Sequence, residues 1–587
     1  MKASSPSRAA RRASERHARS RTRIAGVAGA AAAALLLAAC GSSASSATSS
    51  PTPSAAVSTH PGSSASAVAL TVEGNPPGPV TKTFNPFDPT SAINELDIAS
   101  LVYEPLLQFD IVKPGTIYDW LAKSYSWSNG GRTLTFHLRQ GVKWSNGTPF
   151  TSADVAFTYN LIKDNPSINS GGLTISKVLA PNASTVVLDF PTAQYTNLYA
   201  IAGETYIVPK AQWASVKDPA TFADANPIGT GGWTVSKFAS TGITLTANPR
   251  YWGGKPKVET IYVPAYDSNT SANLNLENGT LDWAGNFVSD LSQVYTARDP
   301  RTHKSWFPGI NTVTLQPNLD EFPTNQLAVR QAVSAAIDRK TISADGEDGL
   351  EPPATNASGL VLPTQKAYLA AGGSKYTIST SADPAKAEKI LEAAGWKKGS
   401  NGFFQKGGKT LSITLIDPSS YTDYSTDDQI MVAELKKAGI DASFNGLSVG
   451  AWTSDVALGN FQMTLRYSNQ GPTPYQMFQG WLDDSTTAPV GKSASGDFER
   501  FRSAAAEADL KAFAATDSLK AQVAAIGGLE KLVATQLPVI PVVYGAAFDE
   551  YNTTHFTNWP SPSNPYDIGQ PTSPAMEVVA LHLRPVH

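Results

Sequence analysis

The residues of this chain that could do covalent chemistry centre on Gly446-Leu447-Ser448-Val449-Gly450. This G-x-S-x-G pattern follows a strand-like run and precedes a helix-like one, the setting in which a hydrolase presents its serine. An acid and a histidine follow in hydrolase order, Asp455 and His555, so a serine esterase or peptidase is one function class on offer. Against it, the pattern fixes only three small residues, and no HGGG-type segment that could supply oxyanion donors precedes it. Strand, loop and helix explain the region equally well. Metal chemistry has less behind it. The histidines are His17, His60, His137, His303, His555, His582 and His587. They form no HExxH and no close cluster apart from the terminal pair. His137 falls on the polar face of a strand, where solvation is its ordinary fate. Cys40 is the only cysteine, which leaves no partner for a disulfide or a cysteine–zinc site. No GxGxxG is present. Catalytic residues, metal ligands and cofactors are therefore not expected. What remains is binding. The chain holds 12 Trp, 20 Tyr and 22 Phe, and a cleft that sequesters a solute uses aromatic walls with a few fixed polar groups. Each aromatic is more readily core than contact, except where it sits in a polar loop, as in Leu465 to Trp481, LRYSNQGPTPYQMFQGW.

The elements that must position such a site are clearest from Arg132 to Ile162. Leu134, Phe136 and Leu138 alternate with Thr133, Thr135 and His137, which predicts a strand with one buried face. Asn129-Gly130-Gly131 before it and Asn146-Gly147 after it are turn signals. Thr151 with Asp154 three residues on predicts a capping box. Val155, Thr158, Tyr159 and Ile162 then fall on one face of a helix.

The wording of Thr135 to Asn160, TFHLRQGVKWSNGTPFTSADVAFTYN, closely resembles the signature of the peptide/nickel class of ABC-importer solute-binding proteins, family 5. About a dozen positions agree in order and spacing, with Asn146 standing where aspartate is usual. Other strings resemble the same family in the same order. They are Ile98 to Phe109 (IASLVYEPLLQF, a helix in the resemblance), Pro227 to Trp233 (PIGTGGW), Asn248 to Pro256 (NPRYWGGKP), Leu274 to Asp282, Ala328 to Arg339 (AVRQAVSAAIDR) and Leu537 to Tyr544 (LPVIPVVY). The glycines of PIGTGGW are read as permitting positive φ in a turn. The aliphatic stripe of Ala328 to Arg339 is core. Asp383-Pro384 opens a helix, and Gly395 and Gly439 each close one. The resemblance implies an α/β, two-lobed, venus-flytrap fold of the type II periplasmic-binding-protein kind, with an extra small domain on the first lobe.

At 587 residues the chain exceeds one core. Its 46 basic and 49 acidic groups conceal an asymmetry, because residues 1–23 hold eight bases and one acid. Without them 38 bases face 48 acids, near −10, which argues against a nucleic-acid partner. The apolar run Ile24 to Ala39 is short for a spanning helix and suits a signal-peptide core. It meets Cys40 in a sequence that resembles a bacterial lipobox, implying cleavage before Cys40 and lipid on its sulfur, an anchor to the outer face of the cytoplasmic membrane. The Ser/Ala/Thr/Pro-rich residues that follow read as a tether. The expected division is 1–39 signal peptide, 40–67 lipidated cysteine and tether, 68–310 first lobe with its small domain at about 111–228, 311–545 second lobe, and 546–587 a return to the first lobe.

The resemblance places Leu465 to Trp481 at the pocket of the second lobe, with Arg466 matching the family's arginine. Tyr467, Asn469, Gln470, Tyr475 and Trp481 are candidate contacts beside it. Phe87 in an Asn-Pro loop, Trp233, Tyr544 on a crossover and Trp559 in WPSPSNPY complete the candidate set. Peptide receptors of the family commonly hold the ligand's ammonium with an aspartate in this loop, whereas Ser468 to Gly471 has no acid. Two cargoes therefore stand: oligopeptide, the family default, and a β-linked, cello-oligosaccharide-like sugar, which amides and aromatics would suit. The implied partners are a small solute, an ABC permease and the membrane, with the receptor a monomer.

Overall fold

The predicted strand forms as Thr133–Leu138, pairing antiparallel with Ala122–Ser128 on one side and Thr185–Asp189 on the other. Leu134, Phe136 and Leu138 are buried and His137 is exposed, as the alternation requires. Helix Ser152–Asp164 covers this sheet. The Asp154 carboxylate accepts the Thr151 backbone N–H at 2.9 Å, and the Ala153 N–H donates to Thr151 Oγ1. Val155, Tyr159 and Ile162 join Phe136, Trp144 and Leu188 in one apolar core. The computed structural model describes residues 68–73, 78–362 and 364–586. The leader, Cys40 and the tether lie outside the described residues.

A second core packs around the sheet Leu70–Thr71, Thr260–Pro264, Gly242–Ala247 and Trp233–Ala239. A three-stranded sheet of Trp283–Ala284, Glu550–Asn552 and His303–Ser305 adjoins it. Ile98 to Phe109 departs from the helical expectation. Only Ala99–Val102 is helical, and Leu107–Asp110 is a strand. Pro105 explains the break, since it lacks an N–H and holds Glu104 out of the helical region. The glycines of PIGTGGW also act differently from the expectation. None of the three has positive φ. Gly229 and Gly231 instead let two backbones touch: a Cβ at Gly229 would lie 1.7 Å from the Val102 carbonyl oxygen, and one at Gly231 2.5 Å from that of Leu101.

The third core surrounds a mixed five-stranded sheet in the order Asp441–Leu447, Ser412–Pro418, Met463–Tyr467, Gly309–Pro317, Ile540–Ala546. Val329, Ala332, Val333 and Ala336 bury the expected stripe, but the helix stops at Ala336. Asp338 caps a new turn, accepting the Lys340 and Thr341 N–H groups, so a local side chain outcompetes the continuing helix. Asp383 caps and Pro384 opens the next helix. Gly395 and Gly439 follow their helices at φ +83° and +77°. Strands Gly309–Pro317 and Ile540–Ala546 pair antiparallel. Between this sheet and the three-stranded one the two chain segments run side by side, with Ala547 N–H donating to Pro308 O and Trp306 N–H to Asp549 O, each at 2.9 Å. The lobes are thus joined by a hydrogen-bonded ribbon. Among the described residues no helix is long and apolar enough to cross a membrane.

Candidate functional site

Where that ribbon meets the two lobes lies a cavity of about 1170 Å³. Residues of the ribbon and its approaches, Asn311, Val313, Ala546 and Phe548, form its back. One wall carries Asn94, Asp97 and the loops that supply Asp267, Phe287 and Gln570. The other carries Glu351, the turn Ser420 to Tyr424 at the start of helix Thr422–Lys437, and Tyr467 and Gln470 just past the end of strand Met463–Tyr467. The strand ends and helix start deliver these side chains because a parallel pair, Ser412–Pro418 with Asp441–Leu447, sends its loops to one edge of the sheet.

The lining is one-sided in charge. It holds five carboxylates, Glu73, Asp97, Asp267, Glu351 and Asp423, and no lysine, arginine or histidine. Among the described residues none of the five makes an ion pair. Burial raises Glu73 to about 7, against the hydrogen bond it accepts from Asn286 Nδ2 at 2.6 Å. Burial likewise raises Asp97 to about 6. Glu351 is pushed well above the carboxylate range by burial and then by its neighbour Glu347, although its Oε1 accepts the Ala546 N–H at 2.8 Å. Asp423 is raised by burial. Asp427, behind it, is raised by burial and by Glu347. Gly346 makes that packing possible, since a Cβ there would lie 1.7 Å from Asp427 Oδ1. Glu351 Oε2 and Asn311 Oδ1 are buried without a hydrogen-bond partner, in side chains only 5% and 6% exposed. Five aromatics, Phe287, Tyr421, Tyr424, Tyr467 and Phe548, complete the lining, and Tyr467 is 61% exposed.

Of the residues singled out from sequence, Tyr467 and Gln470 line this cavity. Asn469 is exposed nearby, with its amide against Gly480. Arg466 stands behind the wall, its guanidinium over the rings of Phe498 at 4.4 Å and Trp452 at 5.2 Å. The others pack elsewhere. Trp233 is wholly buried and donates Nε1–H to Val258 O. Trp481 is core, and Tyr475 stacks on Phe513. Tyr544 is buried in the ribbon, its hydroxyl accepting the Thr355 N–H. Trp559 stacks on Tyr551, and Phe87 meets Trp213 edge-on. These rings are large and apolar, and the cores took them. The hydrolase residues are each engaged separately. Ser448 caps helix Val449–Leu458, Asp455 accepts from Asn460, and His555 pairs with Asp282 at 2.8 Å.

The acids of the lining escaped the sequence reading. One signal was present: Asp428, Met431 and Leu435 fall at i, i+3 and i+7 and all are buried. An acid on the apolar stripe of a helix marks a buried charge that needs a reason. Among the described residues no three His, Cys, Asp or Glu side chains are arranged to hold a metal ion.

Comparison with known proteins agrees with this architecture. Residues 116–489 match the profile of the bacterial extracellular solute-binding proteins, family 5 Middle. The nickel-binding periplasmic protein of Escherichia coli K12 is 29% identical over 366 residues, 60% of this chain and 67% of that protein. Protein XP55 of Streptomyces lividans is 31% identical over 328 residues, 54% of this chain and 57% of that protein. The match thus spans about two-thirds of the length of the first of these curated relatives and somewhat over half of the second. The periplasmic oligopeptide-binding protein of Thermotoga maritima, solved with mannohexaose bound, superposes with a TM-score of 0.74 at 25% identity, covering 88% of this chain and 99% of that one.

Proposed function

This chain belongs to the bacterial extracellular solute-binding proteins of family 5, and from that premise we propose that it captures an oligopeptide in the cleft between its lobes and hands it to an ABC permease. The observation that supports this reading is the cavity of about 1170 Å³ at the ribbon, whose walls come from both lobes. Two segments of chain are all that must bend for the lobes to close on a solute, a hinge arrangement. Closure removes water from the solute, which strengthens each polar contact to it. Tyr467 and Gln470 are proposed contacts on the second lobe. The carboxylates supply the anchor for a peptide ammonium that the 468–471 loop lacks. A charge-assisted bond of that kind is about twice as strong as a neutral one. No bond is made or broken in this cycle. Cys40 is proposed as the lipidated anchor that keeps the receptor at the outer face of the cytoplasmic membrane.

A second reading, a β-linked oligosaccharide, is favoured by the cavity's aromatics together with the amides Asn94, Asn273, Gln470 and Gln570. A thermal-shift screen of the full chain against peptide and oligosaccharide pools separates the two. Ligand that binds only the folded state raises Tm by mass action. Stabilisation by the peptide pool, with the peptides recovered intact, is the expected result. Cleavage of the peptides, or no shift from any pool, would end the receptor reading.

A further inference from the structure

Resting on the receptor reading above, we propose that the cleft is a cation-selective site, built to take solutes carrying ammonium or guanidinium side chains, with Glu351 and Asp423 on the second lobe and Glu73 on the first as charge partners.

Three independent features converge on this. The first is the lining itself, five carboxylates with no basic side chain among 26 residues. Arg466, next in the chain to the lining residue Tyr467, is turned onto Phe498 and Trp452. Its charge acts on the carboxylates of Asp417 and Glu499 and on the lining hydroxyl of Tyr421, and it pairs with none of the five acids of the cavity. The second is the unmet bonding capacity of the back wall. Glu351 Oε2 and Asn311 Oδ1 are acceptors, buried and without partners, in side chains that line the cavity. Glu73 Oε1 is also without a partner among the described residues. A buried acceptor left bare costs stability, and a donor-rich cationic head satisfies several acceptors at once. The third is the aromatic complement, Tyr421, Tyr467, Phe287 and Phe548 around the same space. Aromatic faces attract organic cations and do nothing for anions. An arginine or lysine side chain entering from solvent thus meets carboxylates at the back and rings at the sides. An anionic solute would find no basic side chain in the lining to pair with.

The test is calorimetric titration of the full chain with triarginine, trialanine, triglutamate and cellohexaose. One charge-assisted bond is worth about a factor of ten or more in affinity. Triarginine is therefore expected to bind at least about tenfold more tightly than trialanine, with no binding of triglutamate. Glu351→Gln keeps an acceptor for the Ala546 N–H and removes the charge, and it is expected to erase most of that preference. Asp423→Asn, at a helix start, is the second variant should the first not fold. A preference that survives both substitutions would overturn the assignment to these carboxylates. Equal binding of triarginine and trialanine, or binding of cellohexaose alone, would overturn the charge selection while leaving the solute receptor intact. Failure of every probe and of the broader pools would remove both.

Discussion

Ser448 Oγ accepts the Ala451 N–H at 3.3 Å, and a hydroxyl so placed is a helix cap. Ser448→Ala is expected to cost about 1 kcal/mol of stability, read by urea unfolding, and to leave solute affinity unchanged. Loss of a turnover activity in that variant would instead mark a nucleophile. The aromatics divide in the same way between folding and binding. Tyr467 is 61% exposed on the cavity wall, so Tyr467→Ala is expected to weaken solute binding while Tm stays within a degree or two of wild type, about the effect of a surface change. Trp481 is 2% exposed in a core with Phe478 and Leu529. Trp481→Ala is expected to cost about 3–5 kcal/mol and to lower the unfolding midpoint before any binding defect can be read. The reverse pattern in paired thermal and calorimetric data would place the solute against Trp481.

At the scale of elements, the strings by which the family is recognised meet around one half-buried tryptophan. Trp252, of NPRYWGGKP, donates Nε1–H to both oxygens of Glu104, of VYEP, at 2.9 and 3.1 Å. Arg139, of HLRQG, lies over its ring at 3.9 Å. Glu577, from the C-terminal helix, accepts the Gly232 N–H of PIGTGGW at 3.0 Å. Burial raises Glu104 to about 8, and burial with Glu104 as neighbour pushes Glu577 well above the usual carboxylate value. These motifs therefore lock pieces of the first lobe together. Trp252→Phe keeps a ring between Arg139 and Trp120 and deletes the donor, so it is expected to cost about 1–3 kcal/mol in chemical denaturation with solute affinity untouched. An affinity loss at unchanged stability would count against a scaffolding role. The same contrast explains what was legible in the sequence. Thr133–Leu138, the Thr151 capping box and the Asp383-Pro384 start are written in spacings of a few residues, and they could be read directly. Asp97, Glu351 and Asp423 sit in separate stretches that meet only after the chain has crossed from one lobe to the other, and no local spacing encodes that. Their nearest trace was the helix that starts beside Asp423, whose buried face carries Asp427, Asp428 and Glu434 among Tyr424, Met431 and Leu435. The aromatic candidates failed to gather for the opposite reason, since ring size favours core sites wherever a core is available.

For the molecule as a whole, the buried carboxylates set how stability depends on pH. Glu73 is raised from 4.5 to about 7, Asp97 and Asp224 from 3.8 to about 6, and Asp417 from 3.8 to about 7, in each case first by burial. A group raised in the folded state holds a proton that the unfolded chain has already released. Its contribution is therefore fully present below the unfolded pKa, near 4, and is lost as pH climbs through 6 to 7. Shifts of two to three pK units correspond to roughly 3–4 kcal/mol at most per group. The protein without solute is thus expected to unfold at lower urea at pH 8 than at pH 5, with most of the fall between pH 5 and 7.5. Asp267 and Asp299, held low by hydrogen bonds from Ser271 and Arg301, act only below about 4, where the unfolded acids themselves titrate, and do not reverse the trend in this window. A cationic solute should act in the opposite direction. It favours the ionised carboxylates of the cleft, so its stabilising effect should grow as pH rises and its binding should release protons. Denaturation curves at five pH values, with and without triarginine, read both effects together. A solute-free stability that rises from pH 5 to 8 would mean that these carboxylates are ionised in the folded protein at pH 5, and the acid cluster would then need a cation already in place.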